Sequence, residues 1–448
     1  MNALEKLFNT KLTENGDLAY KSSGNGVVDL IFLAEYFTKN PNEIPINDIE
    51  ALPEEARRLL CMFIRDPRYG MGYRDYGRIL FEKFNADVHD VVKAGRWDDL
   101  WDYIDHYTSP FFKGNLYQYF KQECKSGNEL CKKWMPRLSS GEVSRRRAKD
   151  FCNYFNMSHK DYSKLIKANT VENTLSNGSI SDINYEHVPS LAMMKYFETF
   201  KRKDGERFQK YLDDVKAGKK NVNFATGTVY DIYRNLDRLE GNAELFFEKL
   251  PKAPMNSIVI CDTSGSMYNQ YDAIGKALAL TYYFAKNSTY APDMFISFSE
   301  RPMLVKLNGR NMEEVFRNMR STDWGVNTDL GKVFELLMSL EGEMPEYLII
   351  LSDMEVDQGS GRSRERLMEK CKKQGIKPPR IVWWNLTDGR SRTVPELDGG
   401  NIFMSGYNGT LLRYLEAGFD NEKFIEKLLL EYEKSIGEDS LKKYLEEN

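Results

Sequence analysis

The sequence predicts a two-part chain. An all-α helical-repeat body spans residues 1–250, and a doubly wound, mostly parallel α/β domain spans 251–448. Three observations lead there. Aliphatic and aromatic residues recur at helical spacing through the first part, where strand signals are scarce. Two prolines in Leu250-Pro251-Lys252-Ala253-Pro254 end that pattern. Beyond them, short apolar runs alternate with helical stretches, the signature of a parallel sheet with helices on both faces.

In chain order, residues 27–37 read as a buried helix, and Pro53–Arg65, Arg74–Asn85 and Trp97–His106 continue the pattern. No strict sequence period appears, so the repeat is structural: antiparallel helix pairs in a solenoid-like, HEAT-like body. After the prolines come strand Ile258–Asp262, helix Asp272–Lys286, strand Met294–Phe298, helix Asp329–Leu340 and strand Tyr347–Ser352. Helix Arg364–Lys373, strand Arg380–Leu386 and a short strand Ile402–Met404 follow. Two polar helices, about Asn421–Ile436 and Asp439–Glu446, complete the pattern. Trp383 and Trp384 are neighbours on one strand, so they fill opposite faces of the sheet. Trp97, Trp101 and Trp134 read as helix core. Gly70-Met71-Gly72 reads as an ordinary turn, because no strand precedes it.

A length of 448 residues favours two domains or more. Hydrophobic content of 41% and aromatic content of 13% allow sizeable cores. No run of eighteen apolar residues suits a membrane-spanning helix, and Met1-Asn2-Ala3-Leu4-Glu5-Lys6 has no signal-peptide character. The six cysteines make no C-x-x-C pair. They read as reduced, buried thiols of a cytoplasmic protein with no membrane association. A net charge of −4 names no partner.

The most informative stretch is Asp262-Thr263-Ser264-Gly265-Ser266, where a buried strand hands over to a helix. Carboxylate and hydroxyl oxygens suit a hard divalent cation such as Mg2+. The spacing D-x-S-x-S resembles the metal-ion-dependent adhesion site of von Willebrand factor A (vWA) domains, a Rossmann-like fold. The resemblance implies two further ligands: Thr328, on a loop before a helix, and Asp353, at the end of a later strand. It also implies roles. Ser264, Ser266 and Thr328 would offer hydroxyl oxygens directly; Asp262 and Asp353 would act largely through ordered water, or one of them directly. The cation would be Mg2+, or another divalent ion such as Mn2+ or Ca2+. Its open position would take an Asp or Glu carboxylate from a partner protein.

Catalytic turns fit this stretch poorly. Ser264 stands where an aspartic-protease turn needs Gly, and Asp262 stands where a nucleophile elbow needs Gly. No P-loop is present. The four histidines, His89, His106, His159 and His187, all lie in the first half, so no imidazole base sits near these serines in sequence.

A wider resemblance covers most of the chain. Thr13-Glu14-Asn15-Gly16, Ala19-Tyr20-Lys21-Ser22 and Gly24-Asn25 resemble the opening of the domain-of-unknown-function 2828 family. So do Arg65-Asp66-Pro67-Arg68-Tyr69-Gly70-Met71-Gly72, Trp134-Met135-Pro136-Arg137 and Ile183-Asn184-Tyr185-Glu186-His187-Val188-Pro189-Ser190. Ser352-Asp353-Met354 and Trp383-Trp384-Asn385-Leu386 complete the series. A helical body followed by a vWA domain is similar in architecture to the Ro autoantigen (TROVE) ring proteins. That likeness implies binding of structured or single-stranded RNA.

The basic stretch supplies a local surface for such binding. Residues 121–167 hold 12 Lys and Arg against 5 Asp and Glu. Lys132, Lys133 and Arg137 flank Trp134; Arg145, Arg146, Arg147 and Lys149 precede Tyr154 and Phe155; Lys160, Lys164 and Lys167 follow. Cations of this kind attract phosphates, and aromatics stack on bases. The expected function is therefore a non-catalytic binding scaffold: a metal-dependent protein contact at the α/β domain and a ribonucleoprotein platform on the helical body. A purely protein-binding adaptor is the alternative, and a hydrolase ranks last.

Overall fold

The structure, a computed structural model, describes residues 10–12, 18–20, 25–67, 69–106, 110–224, 227–250, 252, 255–268, 272–298, 302–321, 330–339, 343–353, 360–386, 401–405, 407, 414, 417 and 420–438. A short antiparallel pair, β1 (Thr10–Leu12) and β2 (Leu18–Tyr20), comes first. Six later strands form one sheet: β3 (Ser257–Asp262), β4 (Met294–Phe298), β5 (Leu304–Lys306), β6 (Tyr347–Ser352), β7 (Arg380–Asn385) and β8 (Asn401–Ser405). Their order is β5-β4-β3-β6-β7-β8. Every pairing is parallel except that of β4 with β5. The strand–helix alternation expected beyond residue 254 is present, with helices at Ala273–Asn287, Leu330–Ser339 and Ser360–Lys373.

Alternation along the strands gives the sheet two apolar faces. Ile258, Ile260, Ile296, Phe298, Leu348, Ile350, Ile381 and Trp383 form one core with Val333, Phe334, Leu337, Leu367 and Cys371 from two helices. On the other face, Trp384 meets Phe284 of helix Ala273–Asn287, with ring centroids 6.0 Å apart. The two tryptophans thus fill opposite faces, as their adjacency requires.

Several elements depart from the sequence reading. The expected helix over 27–37 is two, Gly26–Phe32 and Ala34–Lys39, broken at Leu33. The pair β1/β2 and the edge strand β5 are three residues each, too short to show a period. Helix Met312–Ser321 buries Met312, Val315, Phe316 and Met319, a helical spacing the sequence reading passed over. The expected helix Asp439–Glu446 lies outside the described residues.

The chain forms two compact units, residues 1–52 with 224–428 and residues 53–223 with 429–448. This grouping by compactness differs from the division by element type at residue 250. The first unit holds the sheet. Its helix Val229–Arg234 carries Tyr230, whose hydroxyl donates to Asp272 Oδ2 at 2.7 Å. Asp272, at φ 51°, in turn caps helix Ala273–Asn287 through Gly275 N–H.

Among its described residues the second unit has helices and no strand. Trp97 and Trp101 are buried as expected, and Trp101 stacks on Phe120 at 4.5 Å. Trp134 is a correction: it is only half-buried and lies beneath the Arg96 guanidinium at 3.9 Å. A helix of six residues, Glu129–Trp134, is too short to enclose a ring of that size.

The second unit is built around a buried ion pair. Arg65 and Asp99 have side chains 2% and 1% exposed, with Nη2 to Oδ2 at 2.6 Å. Arg78 Nε donates to the other carboxylate oxygen at 2.6 Å, and Arg96 N–H adds a third donor at 2.9 Å. Two glycines make room for the pair. A Cβ on Gly77 would fall 2.5 Å from Arg65 Cβ, and one on Gly95 would fall 2.4 Å from Asp99 Oδ2. Removing one partner of a buried pair strands the other, so Asp99→Ala is expected to lose about 3–5 kcal/mol of stability. Gly77→Ala is expected to lose about 1–3 kcal/mol through overpacking. Urea unfolding followed by circular dichroism measures both; an unchanged midpoint in Asp99→Ala would refute the role given to the pair.

Candidate functional site

Strand β3 lies at the point where the chain reverses its direction of winding. From β3 it moves to β4 on one side, then crosses to β6 on the other. In open parallel sheets the crevice for ligands opens at such a point, beyond the carboxyl ends of the strands. The β3–β6 register pairs Cys261 with Leu351, so Asp262 and Ser352 end the two strands side by side.

These ends are tied together. Ser352 Oγ donates to Asp262 Oδ2 at 2.5 Å. Ser264 N–H donates to Asp262 Oδ1 at 2.9 Å, folding the turn back on the strand. Ser264 Oγ and Ser266 Oγ are 3.0 Å apart. Gly265–Met267 then makes one 3-10 turn. Asp262, Ser264 and Asp353 are buried, and Ser266 is half-buried. Tyr268, 64% exposed, stands at the rim.

The structure thus brings four of the five expected metal ligands to one sheet edge. The fifth, Thr328, lies outside the described residues, as does its neighbour Asp329. The helix expected after them starts at Leu330. Sequence reasoning gave Ser352 no role. The only signal was a hydroxyl closing an apolar run directly before Asp353.

Electrostatics at the edge disfavour an uncompensated carboxylate charge. Burial pushes the Asp262 carboxyl up to about 6, and the nearby Asp353 adds to the rise; donation from Ser352 and Ser264 only partly offsets it. The donors present are carboxylate and hydroxyl oxygens, the set that hard ions such as Mg2+, Mn2+ and Ca2+ accept. Among the described residues no group of three or more His, Cys, Asp or Glu side chains could hold a metal. The oxygens beside the two carboxylates at this edge come from serine hydroxyls.

The basic stretch is less open than its composition suggests. Arg147 pairs with Asp102 and Asp105 at 2.7 Å each, and Arg146 with Asp105 at 2.8 Å. Lys132 pairs with Glu129 at 2.8 Å, and Lys133 lies 3.8 Å from Glu172. Arg137 donates to the carbonyls of Ile166, Lys132 and Lys133. Arg145, Lys149, Lys160, Lys164 and Lys167 are exposed, and Arg145 donates to the Ser140 carbonyl.

The Asp262 shift sets a pH dependence. Its folded-state pKa of about 6 exceeds the ordinary 3.8, so ionisation opposes folding. Metal-free protein is therefore expected to lose stability as pH rises from about 4 to about 6 through this group, with no further loss above. Asp262→Asn should remove that part of the profile. Thermal midpoints of both proteins across this range, in chelator, make the check; parallel profiles would contradict it.

Two family models match the chain. Residues 128–247 match Domain of unknown function (DUF2828), which bears out the resemblance to that family over this stretch. Residues 256–446 match Domain of unknown function (DUF7788), and the segments 352–354 and 383–386 fall within it. An uncharacterized protein of Acanthamoeba polyphaga mimivirus is 23% identical, over 90% of this chain and 84% of its own. Among solved structures, the crystal structure of the Deinococcus radiodurans Ro (RSR) protein matches 90% of this chain and 92% of its own. Its identity is 11% and its TM-score 0.38. The chain is similar to the DUF2828 family in its helical middle and to the DUF7788 family through its sheet.

Proposed function

We propose that the protein is a non-catalytic binding scaffold. In this reading the sheet unit is vWA-like, and its carboxyl edge holds a divalent cation, Mg2+, Mn2+ or Ca2+. The observation that carries it is the convergence of Asp262, Ser264, Ser266 and Asp353 beyond two adjacent parallel strands. Ser264 and Ser266 would hold the ion with Thr328; Asp262 and Asp353 would balance its charge. A bound ion supplies an electrophilic position for an Asp or Glu carboxylate of a partner protein. Nothing in this role needs turnover, and all four histidines fall outside the ranges of the sheet unit. Mn2+ uptake in equilibrium dialysis is expected near one ion per chain, reduced at least tenfold by Asp262→Ala. Equal uptake by the variant would reject the site.

The helical middle is the candidate RNA platform. Its contact surface would be Arg145, Lys149, Lys160, Lys164 and Lys167, which remain exposed. Removing one phosphate-binding cation lowers the salt dependence of binding by about one unit of log–log slope. Glu substitutions at Lys149, Lys164 and Lys167 together should therefore weaken binding of a single-stranded RNA at least tenfold and flatten its salt slope. Unchanged affinity would remove this surface from the proposal.

The second reading is a protein-only adaptor in a larger assembly. The pairing of Arg146 and Arg147 with Asp102 and Asp105 favours it, because these cations are already neutralised. The ratio of absorbance at 260 and 280 nm, with and without nuclease during purification, separates the readings. Nucleic acid that leaves only at high salt supports the platform.

A further inference from the structure

All six cysteines are free and buried, as their scatter suggested, but two of them are not isolated. Cys124 lies in the last turn of helix Pro110–Lys125, and Cys131 lies in helix Glu129–Trp134. Their sulfurs are 3.5 Å apart. The connection between the helices is Ser126-Gly127-Asn128, with Gly127 at φ +93° and open space beside it. We infer that Cys124 and Cys131 form a reversible intramolecular disulfide when the protein meets a peroxide.

Geometry carries the inference. A disulfide has sulfurs about 2.05 Å apart, so the pair must close by roughly 1.5 Å. A six-residue helix joined to its neighbour through a glycine can accommodate that shift. The rest of the linkage already favours proximity. Asn128 Oδ1 accepts from Cys131 N–H at 3.0 Å, and Asn128 Nδ2 donates to Glu123 Oε2 at 2.9 Å. These bonds hold the second helix against the end of the first.

The two sulfurs are also chemically unlike. The hydrogen bond shared with Cys131 holds the Cys124 thiol below its usual range, with Lys132 and Arg137 adding to the effect against burial. The Cys131 thiol is pushed up, as are those of Cys61, Cys152, Cys261 and Cys371. The thiolate is the nucleophile, and the Cys131 proton is also engaged by the Phe120 carbonyl at 3.7 Å, which leaves Cys124 as the attacking sulfur and Cys131 as the resolving one. Cys124 thiolate displaces hydroxide from hydrogen peroxide and becomes a sulfenic acid. The Cys131 thiol then attacks that sulfur, and water leaves as the S–S bond forms. In sum, two thiols and one peroxide give one disulfide and two waters. Each sulfur loses one electron, and the peroxide bond gains two. Both sulfurs are buried, so access comes through local opening of the six-residue helix. The bond would fix Lys132, Lys133 and Trp134 to the end of helix Pro110–Lys125.

The test uses the whole chain. Native protein is treated with hydrogen peroxide, quenched, unfolded and alkylated, and its peptides are mapped by mass. Two of the six thiols should disappear together. They should appear as one linked pair, Cys124 with Cys131, restored by dithiothreitol. In Cys131→Ser, a dimedone adduct should appear on Cys124. Protein unfolded before oxidation should lose the preference for this pair. The inference is overturned if both thiols are alkylated as fully as in untreated protein, or if Cys124 or Cys131 links to another cysteine instead.

Discussion

The parallel pairing of β3 with β6 is the constraint on which the candidate site rests. It joins two segments about ninety positions apart and ends both strands at the same level. Ser352 then reaches Asp262 across the pair, and the Ser264 amide reaches it from the turn. Without this pairing, the acidic turn after β3 would be an exposed loop of ordinary polarity. With it, two aspartates share a buried edge, where low polarity raises the energy of their negative charge. That stored electrostatic cost is what a divalent cation would relieve.

Much of this was legible in the sequence because it is written in local patterns. The apolar runs ending in Asp262 and Asp353 mark two buried strands. The serines two and four positions after Asp262 mark the turn. Both patterns need only a few neighbouring residues. The role of Ser352 was not legible, because it depends on which strands pair and in what register. The hairpin β1/β2 and strand β5 escaped for another reason: three residues do not make a period. Helix Met312–Ser321 does carry a helical apolar spacing, so it was legible and was missed.

Charge was the least legible property. Arg145-Arg146-Arg147 reads as a positive cluster in the sequence, yet the acids that meet two of its members lie some forty positions earlier, on helix Asp99–His106. A count within a window cannot register such partners. The same holds for Arg65, whose neutralising carboxylate comes from another helix and whose space comes from Gly77. Surface charge is a tertiary property, and only the residues left unpaired after folding are available to a partner.

The interleaving of the two compact units along the chain bears on how it folds. Residues 1–52 group with 224–428, and residues 53–223 group with 429–448. Both groupings are therefore discontinuous along the chain. More than 170 residues of chain separate the two parts of the first grouping, and closing a loop of that length costs entropy before its contacts repay it. Long loops closed early in folding make such a chain slower to reach its native contacts than one whose units are continuous.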